Sequence, residues 1–412
     1  MNEILIHYKK QSQLMIYFIV FSVLVAIDFW SFIYLPAIKS YTSTFIVVVC
    51  MCLIVGTKRQ YKKDFISVIV TWTIITCFTG IIPAAIDYNQ SFIESISACV
   101  RLLYPLFIYF ILKKYSVNDL VLLKIISFVS FVWVMLELFQ QITYPPYVWF
   151  SGRYLAYEGN IEQRLGMWRF YIWGVDFVMI AFSYWLYSIK ENKNKTTIIN
   201  ILMTIIFTIG LLCYGSRKHI YVTLIICFLF LIKGFGQKKW LLVILFFLSS
   251  YFLYENFYTE WLELNEKAAN VQGEGEDFIR FIAAKYFIFD FSDSPLYPIF
   301  GAGLHAGNSK LSNIIENLTQ IGYYQADVGI IGYYSKFGLL GVSAIIMYIV
   351  YFIKNWKFID EWLKYFFIMK VILIVFDFWA IWDVGMMAYA IFLYILGCNI
   401  QKNKLKKRFI TK

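Results

Sequence analysis

The feature that most constrains this chain is a succession of unbroken apolar stretches of about 16 to 26 residues. An α-helix needs about 20 such residues to cross the hydrocarbon core of a bilayer, which is about 30 Å thick. Hydrophobic residues make up 60% of the chain and charged residues only 15%, more apolar surface than a soluble core could bury. The sequence therefore predicts an all-α polytopic membrane protein.

The apolar stretches predict about twelve transmembrane helices in a single integral membrane domain covering 1–412. The stretch 41–56 is short, and a turn near Trp382 and Asp383 alone divides 365–400, so counts of about ten to fourteen also fit. The predicted spans are 14–38, 41–56, 64–87, 93–112, 118–143, 169–189, 197–214, 218–233, 239–254, 327–353, 365–382 and 384–400.

Lysine and arginine are distributed unequally between alternate loops, and most of the 37 fall on one side. Loops rich in these residues are retained in the cytoplasm. This pattern predicts that both termini are cytoplasmic and that two long segments, 144–168 and 255–326, lie outside. The retention signal also accounts for the net charge of +11, so nucleic-acid binding is not indicated.

The first apolar stretch is long and keeps its aromatic residues, which predicts a retained helix rather than a cleaved signal peptide. The seven cysteines lie within apolar spans, with no CxxC pair and no neighbouring histidine. We interpret them as packing residues rather than metal ligands or redox groups.

The segment 255–326 contains two patterns of helical spacing. Apolar residues from Leu311 to Ile321 recur at helical intervals behind a capping Ser309, and Glu276 to Phe291 forms a second amphipathic pattern that carries Arg280 and Lys285. Such helices either lie on the membrane surface or cover a cavity beneath. The segment is therefore predicted to be a large helical cap.

The most informative local motif runs from Tyr214 to His219 between two apolar stretches. In the predicted orientation, the span that begins near Lys218 starts outside, so its N–H groups and positive dipole end point outward beside Arg217 and Lys218. This arrangement favours an anion site for a phosphate or pyrophosphate. The alternative is that the two cations are interfacial anchors that reach the headgroups.

Three further motifs accompany that turn. The sequence has Gly215-Ser216-Arg217, then Phe300-Gly301-Ala302-Gly303-Leu304, then a glycine-rich entry from Ala326 to Gly332 that leads to Phe337-Gly338-Leu339-Leu340-Gly341. Together they resemble the O-antigen ligase/polymerase (Wzy-type) superfamily of bacterial polysaccharide assembly. The resemblance covers about residues 144–345, and the first four spans share only topology.

This resemblance implies a glycosyltransferase of the bacterial cytoplasmic membrane that acts on undecaprenyl-pyrophosphate-linked sugars at the outer face. Arg217 would hold the donor pyrophosphate, with Ser216 and Lys218 beside it. Fixed cations could stabilise the leaving diphosphate without a metal, so no cofactor is expected. The implied partners are the lipid-linked oligosaccharide, the bilayer, and a flippase and a chain-length regulator of the same pathway.

The resemblance favours a polymerase over a ligase, because ligases of this family resemble one another in a histidine near the end of the large loop. This chain has Asp327 there, and His305 lies about twenty residues earlier beside the glycine turn. Asp327 is a candidate catalytic or acceptor-binding group. The competing structural explanation is that it is the N-cap of the helix that follows. His305 is a candidate base, or an incidental loop histidine.

Arginines in the two outer segments are further candidates for binding phosphate or acidic sugars. A belt of interfacial aromatic residues with snorkelling arginines is the alternative for the first segment. Arg169 stands seven residues before Asp176, which would allow an ion pair or an anion site. The candidates for substrate binding are Arg153, Arg164, Arg169, Arg280 and Lys285.

Several charged residues fall inside predicted spans, where they should face the protein interior. Among them, Arg101 and Glu137 could form a pair. Such residues also support a rival class of protein, a transporter or flippase. Against that class, no internal repeat is visible, and a transporter has little use for a long outer cap. A structural scaffold, the third class, would need neither the Gly-Ser-Arg turn nor external cations. The charged residues are Asp28, Arg101, Glu137, Lys370, Asp377 and Asp383.

Overall fold

The computed structural model describes residues 2–29, 38–56, 64–144, 163–164, 167–168, 170, 174–191, 197–214, 216–234, 276–378 and 382–410. These residues are helical apart from turns and one antiparallel hairpin of two-residue strands, in which Gln163 pairs with Trp168 and Arg164 pairs with Met167. The predicted all-α class is confirmed.

The helices follow one another closely along the described ranges. The hairpin strands, β1 (Gln163–Arg164) and β2 (Met167–Trp168), precede α7, and short 3-10 segments occupy Gln325–Val328 and Trp356–Phe358. The α-helices are α1 (Asn2–Ala26), α2 (Ile38–Gly56), α3 (Phe65–Thr79), α4 (Ile81–Ile86), α5 (Phe92–Lys114), α6 (Asp119–Thr143), α7 (Val175–Glu191), α8 (Thr197–Cys213), α9 (Arg217–Gly234), α10 (Glu276–Phe289), α11 (Tyr297–Phe300), α12 (Lys310–Gln320), α13 (Ile330–Lys354), α14 (Glu361–Leu373) and α15 (Asp383–Ile410).

Within the described ranges, five helical stretches are long and apolar enough to cross a membrane: Phe65–Ile86, Phe92–Lys114, Asp119–Thr143, Ile330–Lys354 and Asp383–Phe409. The first of them combines α3 and α4, which meet at Gly80. Shorter apolar helices accompany these five. Their length and composition are consistent with a membrane protein, and the predicted span 239–254 lies outside the described residues.

The last long helix, α15, lies at the centre of the bundle. Its apolar stretch is 89% buried, whereas the corresponding stretches of α6 and α13 are 44% buried. It packs chiefly along α5, while α13 packs on α3 and α7 packs on α8. A residue that α5 or α13 presents inward is therefore enclosed by protein rather than by lipid.

The predicted span 365–382 is wrong in its second half, because α14 ends at Leu373. The apolar sequence continues through Val375 and Phe376, so hydropathy does not mark the end. Instead, the Ile374 carbonyl accepts a hydrogen bond from the N–H of Ile330 at the start of α13, over 2.8 Å. Between α14 and α15, the described residues 374–378 and 382 are non-helical, and residues 379–381 lie outside the described part of the chain.

Both helices predicted within 255–326 are present as α10 and α12. The Oγ of Ser309 accepts a hydrogen bond from the N–H of Ser312 at 3.1 Å, which confirms the predicted cap. The two helices pack around an apolar cluster of their own, separate from the main core, that includes Phe287, Leu311 and Leu318. Together with α11, they form a small folded unit over the start of α13.

Candidate functional site

A kink interrupts α13 at Gly338, where the backbone adopts φ 59° and ψ −163° within an otherwise regular helix. This left-handed conformation favours glycine. A Cβ at Gly338 would also lie 2.3 Å from the backbone carbon and oxygen of Ile299. The kink therefore requires glycine for two independent reasons, conformation and the close approach of another chain segment.

The Gly301–Gly303 turn inserts beside this kink. The N–H of Ala302 donates to the Ser335 carbonyl at 2.8 Å, and the N–H of Gly303 donates to the Lys336 carbonyl at 2.9 Å. In an uninterrupted helix those carbonyls would accept from the residues four positions later. The turn thus supplies hydrogen bonds at the break in α13, and two motifs recognised separately in the sequence meet here.

The same turn is held on its opposite side by α4 and the start of α5. A Cβ at Gly303 would lie 2.3 Å from the Gly80 carbonyl oxygen. The side chain of Gln90 donates to the Leu304 carbonyl at 2.8 Å and accepts from the N–H of Ala306 at 3.0 Å. His305 therefore projects from a backbone that is fixed on both sides of it.

His305 lies in an electropositive environment. Burial and the positive charges of Lys336 and Arg101 lower the pKa of His305 to about 4, although part of the residue is exposed to solvent. The Nζ of Lys336 lies 5.7 Å from the centre of the Trp382 ring, and Lys336 itself is buried.

We expect the His305 ring to be neutral throughout the physiological range and to take up its proton only near pH 4. The chain has three histidines, so isotope-labelled histidine signals in detergent can be assigned by substitution. The signal that titrates near pH 4 should vanish in His305→Gln. In Arg101→Gln it should titrate at higher pH, because one repelling cation is gone.

Equal titration of His305 in wild type and Arg101→Gln would contradict this electrostatic account.

The lowered pKa of His305 also has an effect on protein stability, and its sign can be worked out. Because the pKa is lower in the folded state than the usual 6.5, the unfolded chain binds the proton first as the pH falls. Stability from this group is present above about pH 6.5 and is lost as the pH falls toward 4.

The interpretation of Asp327 as a helix cap is wrong. The residue lies in the 3-10 segment Gln325–Val328, and the N-cap position of α13 is occupied by Gly329, which has φ 57°. A Cβ at Gly329 would lie 2.3 Å from the Ile374 carbonyl oxygen, so the cap position demands glycine. Asp327 is half-buried, and its carboxylate makes no hydrogen bond or ion pair within the described part of the chain.

The other predicted cations, in the two long segments 144–168 and 255–326 and at Arg169, differ in how much of each the structure describes. Arg280 is half-buried and Lys285 is exposed on α10, which packs against α13 and the 3-10 segment that carries Asp327. The backbone of Arg164 lies in β1. Arg153 and Arg169 lie outside the described residues. Asp176, the predicted neighbour of Arg169, pairs with Lys370, and its pairing with Arg169 stays a prediction.

Ser216 directly precedes α9, whose first residue is Arg217, whereas Gly215 and the Arg217 side chain lie outside the described part of the structure. Ser216 is buried, and its carbonyl accepts the N–H groups of His219 and Ile220 at 3.0 and 3.2 Å. Lys218 is not a free cation, because its Nζ lies 3.0 Å from Asp377 Oδ2 and 3.4 Å from the Phe376 carbonyl.

Lys218 is the last member of a series of four residues whose charges alternate in sign. Asp176 of α7 pairs with Lys370 of α14, the charge of Lys370 acts on Asp377, and Asp377 pairs with Lys218 of α9. Neutralisation of each charge by the next allows ionised groups at this depth. The series ties α7, α14 and α9 to Asp377, which belongs to the segment 374–382 between α14 and α15.

This segment connects the two groups of cations. Lys218 contacts Asp377 and Phe376, whereas Lys336 lies over Trp382 at the other end. The sequence offered no reason to join them, because Lys218 and Lys336 belong to different apolar stretches that lie far apart in the chain. The one local signal at Lys336 is that its own span has no carboxylate at helical spacing from it.

The suggested pair between Arg101 and Glu137 is not formed. Glu137 is completely buried, and neither of its carboxylate oxygens has a hydrogen-bond partner among the described residues. It lies near Cys213, at the end of α8. A buried carboxylate without a partner is unusual in native proteins, and this one lies close to the Gly-Ser-Arg turn.

Among the described residues, no group of three or more His, Cys, Asp and Glu side chains could hold a metal ion. No protein-family model matches the chain, and no curated protein sequence matches it.

Proposed function

We propose that this protein is a polysaccharide polymerase that transfers a growing glycan from undecaprenyl pyrophosphate to the next lipid-linked repeat unit. The observation that carries this proposal is the contact between the two glycine motifs of the Wzy-type resemblance. Gly301 packs directly on the backbone of Lys336 and Phe337, beside Gly338. His305 and two cations lie at that contact, where substrate chemistry is expected to occur.

The proposed topology has about twelve spans, cytoplasmic termini, and the segments 144–168 and 255–326 at the outer face. It requires the start of α9, the start of α13 and the end of α14 to share one side of the membrane. Contacts support this arrangement, since Ile330 bonds to Ile374 and Lys218 bonds to Phe376. The small unit formed by α10, α11 and α12 would then cover the reacting groups from outside.

The donor would bind with its diphosphate at the start of α9. The first N–H groups of this 18-residue helix and the charge of Arg217 would stabilise the two phosphates. Because Asp377 already balances Lys218, the main contribution of Lys218 would be to hold segment 374–382 in place. These fixed positive groups would stabilise the leaving diphosphate, so the proposed reaction requires no metal.

In the transfer step, a hydroxyl of the acceptor repeat attacks the anomeric carbon of the donor sugar. The bond between that carbon and the diphosphate oxygen breaks, and undecaprenyl pyrophosphate leaves with the electron pair. The hydroxyl proton passes to a base. One displacement of this kind inverts the configuration at the anomeric carbon.

Two groups can receive that proton. Asp327 offers a half-buried carboxylate without another bond in the described chain, on the segment directly before α13. His305 is neutral at physiological pH, but a pKa of about 4 makes it a weak base in the empty protein. Asp327 and His305 are therefore both candidate bases, and a bound anion that offsets the cations around His305 would make its ring more basic.

The decisive test compares glycan chain length in a deletion strain complemented with wild type, Arg217→Ala or Lys402→Ala. We expect single repeat units in the deletion, polymer with wild type, and single units again with Arg217→Ala, because the donor diphosphate loses its cation. Lys402, an exposed lysine on the last turns of α15, should be replaceable without effect.

Membrane levels of all three proteins must match in this comparison. Normal polymer with Arg217→Ala would refute the assigned role of Arg217. Full-length polymer stranded on its lipid carrier in the deletion strain would identify a ligase of the same superfamily instead.

A transporter or flippase is the second candidate, and the alternating charges from Asp176 to Lys218 favour it. Buried ionisable groups in membrane helices often line a substrate or proton pathway. In the same deletion strain, a flippase would be revealed by lipid-linked units that accumulate facing the cytoplasm. A polymerase leaves those units accessible at the outer face.

A further inference from the structure

Lys336 is a buried cation with no anion beside it among the residues that the structure describes. Its side chain lies in the kinked part of α13, the residue is 6% exposed, and its one recorded polar contact in the described chain is with the Trp382 ring. A charged group taken from water normally finds an opposite charge in the protein. This lysine therefore points to a missing anionic partner.

Arg101 approaches the same place from α5. Gly307 lies against the carboxylate of Glu94 near the start of α5, since an added Cβ would stand 2.2 Å from Glu94 Oε1. Arg101 follows Glu94 by seven residues, which is two helical turns, so it lies on the same face of α5. It is exposed, and its side chain has no hydrogen bond or ion pair within the described residues.

His305 belongs to the stretch of chain that runs between α13 and α5. On one side of it the Gly303 N–H is bonded to the Lys336 carbonyl, and on the other side Gly307 lies against Glu94. Gln90 fixes the neighbouring residues Leu304 and Ala306, and the positive charges of Lys336 and Arg101 both act on His305. The turn thus brings together three potential donors, from α5, α13 and the chain between α11 and α12.

We infer that Lys336, Arg101 and His305 form a binding site for a phosphate or diphosphate group, separate from the Gly-Ser-Arg turn. The two fixed positive charges match the charge of a phosphate ester or diphosphate. Arginine supplies a planar pair of donors, lysine a point charge, and a neutral imidazole one N–H. Glu94 at the edge of the turn disfavours anions that bind further out.

The relation to the polymerase rests on the proposed function. A polymerase joins two lipid-linked substrates, and each brings a diphosphate. The start of α9 would take the diphosphate of the donor, and this second site would take that of the acceptor. Binding at the second site would also partly offset the charges around His305 and raise its pKa toward its usual range, which would improve it as a base only when the acceptor is present.

The direct test measures binding of inorganic pyrophosphate to the purified full-length protein in detergent by calorimetry. We expect Lys336→Met and Arg101→Gln each to weaken binding about ten- to a hundredfold, the usual effect of losing one charged hydrogen-bond donor. Lys124→Gln, which replaces an exposed lysine on α6, should bind like wild type. Binding unchanged in both site variants would overturn the inference.

A second readout follows the His305 signal in labelled protein. Pyrophosphate should move its titration to higher pH in wild type and much less in Arg101→Gln. This signature reports on the anion itself, so a general loss of structure in one variant could not imitate it. No movement of the titration at saturating pyrophosphate would also overturn the inference.

The source of the phosphate can be distinguished by native mass spectrometry. Protein in nanodiscs containing phosphatidylglycerol would retain that lipid, and lose it in Lys336→Met, if the site takes a headgroup. A short-chain polyprenyl diphosphate that displaces the lipid in wild type would instead identify the lipid carrier. Retention of neither ligand, together with no pyrophosphate binding, refutes the site.

Failure of this inference is distinguishable from failure of the polymerase proposal. Binding is measured without turnover, so pyrophosphate bound through Lys336 in a protein that makes no polymer would refute only the polymerase. Polymer of normal length from Lys336→Met and Arg101→Gln, with unchanged binding, would refute only the second site.

Discussion

Gly301→Ala is expected to destabilise the protein by about 3 kcal/mol, the combined effect of backbone strain and a steric clash. Gly301 has φ 72°, and an added Cβ would stand 2.3 Å from the backbone carbon of Lys336. Neither the turn nor the kinked helix α13 can move away easily, because the two are hydrogen-bonded to each other. Unfolding by a denaturing detergent, followed by circular dichroism, would measure the change.

Gly322→Ala provides the matched control. Gly322 has φ 87°, but the nearest atom to an added Cβ is Ile279 Cγ2 at 3.5 Å, an ordinary contact. It should therefore lose only about 1 kcal/mol from strain. Equal losses at the two positions would show that the turn does not depend on its close approach to α13.

Lys370→Met and Asp176→Asn are each expected to destabilise the protein by about 3 to 5 kcal/mol. Lys370 of α14 and Asp176 of α7 form a buried ion pair, and removal of one partner leaves the other charge buried without compensation. The double variant should recover much of the loss. The same detergent unfolding, carried out as a double-mutant cycle, measures the coupling between them.

The same two helices supply the control. Lys190 of α7 and Glu361 of α14 stand 3.5 Å apart, with side chains 39% and 31% exposed. An ion pair in water contributes about 1 kcal/mol or less, so Lys190→Met should change stability little. Additive losses in the buried pair, without recovery in the double variant, would show that Lys370 and Asp176 act independently.

Much of the helical architecture could be predicted from the sequence. Long apolar stretches separated by charged loops predicted α5, α6 and α13 closely, because lipid imposes both length and composition on a crossing helix. The Ser309 cap and the spacing of Leu311 and Leu318 predicted α12 for equally local reasons. These features depend on neighbours in the sequence, so one sequence suffices.

The breaks in helices could not be predicted in this way. The end of α14 at Leu373 and the kink at Gly338 occur within continuous apolar sequence, since each depends on hydrogen bonds from distant residues. Gly329 took the cap position expected of Asp327 because the Ile374 carbonyl leaves no room for a side chain. Apolar periodicity carries no information about such contacts.

Only part of the candidate site could be predicted from the sequence, again because contacts between distant residues are not visible in it. Short motifs predicted Arg217, His305 and Asp327. Arg101 and Lys336 belong to different helices, which are joined only through the chain that contains the Gly301–Gly303 turn. Lys218 illustrates the converse, since its sequence position suggested a free cation and its partner Asp377 lies 159 residues away. Whether a charge is available to a ligand depends on the packed structure.

The bond between the Gly301–Gly303 turn and the break in α13 also bears on the order of assembly in the cell. Residues 301–303 are synthesised before residues 335–338, so the turn is already present when α13 enters the bilayer. In lipid, the carbonyls of Ser335 and Lys336 would have only a straight helix to satisfy them. We therefore expect α13 to insert as a straight helix and to bend when the turn docks, which makes the unit formed by α10, α11 and α12 a template for the final shape of α13.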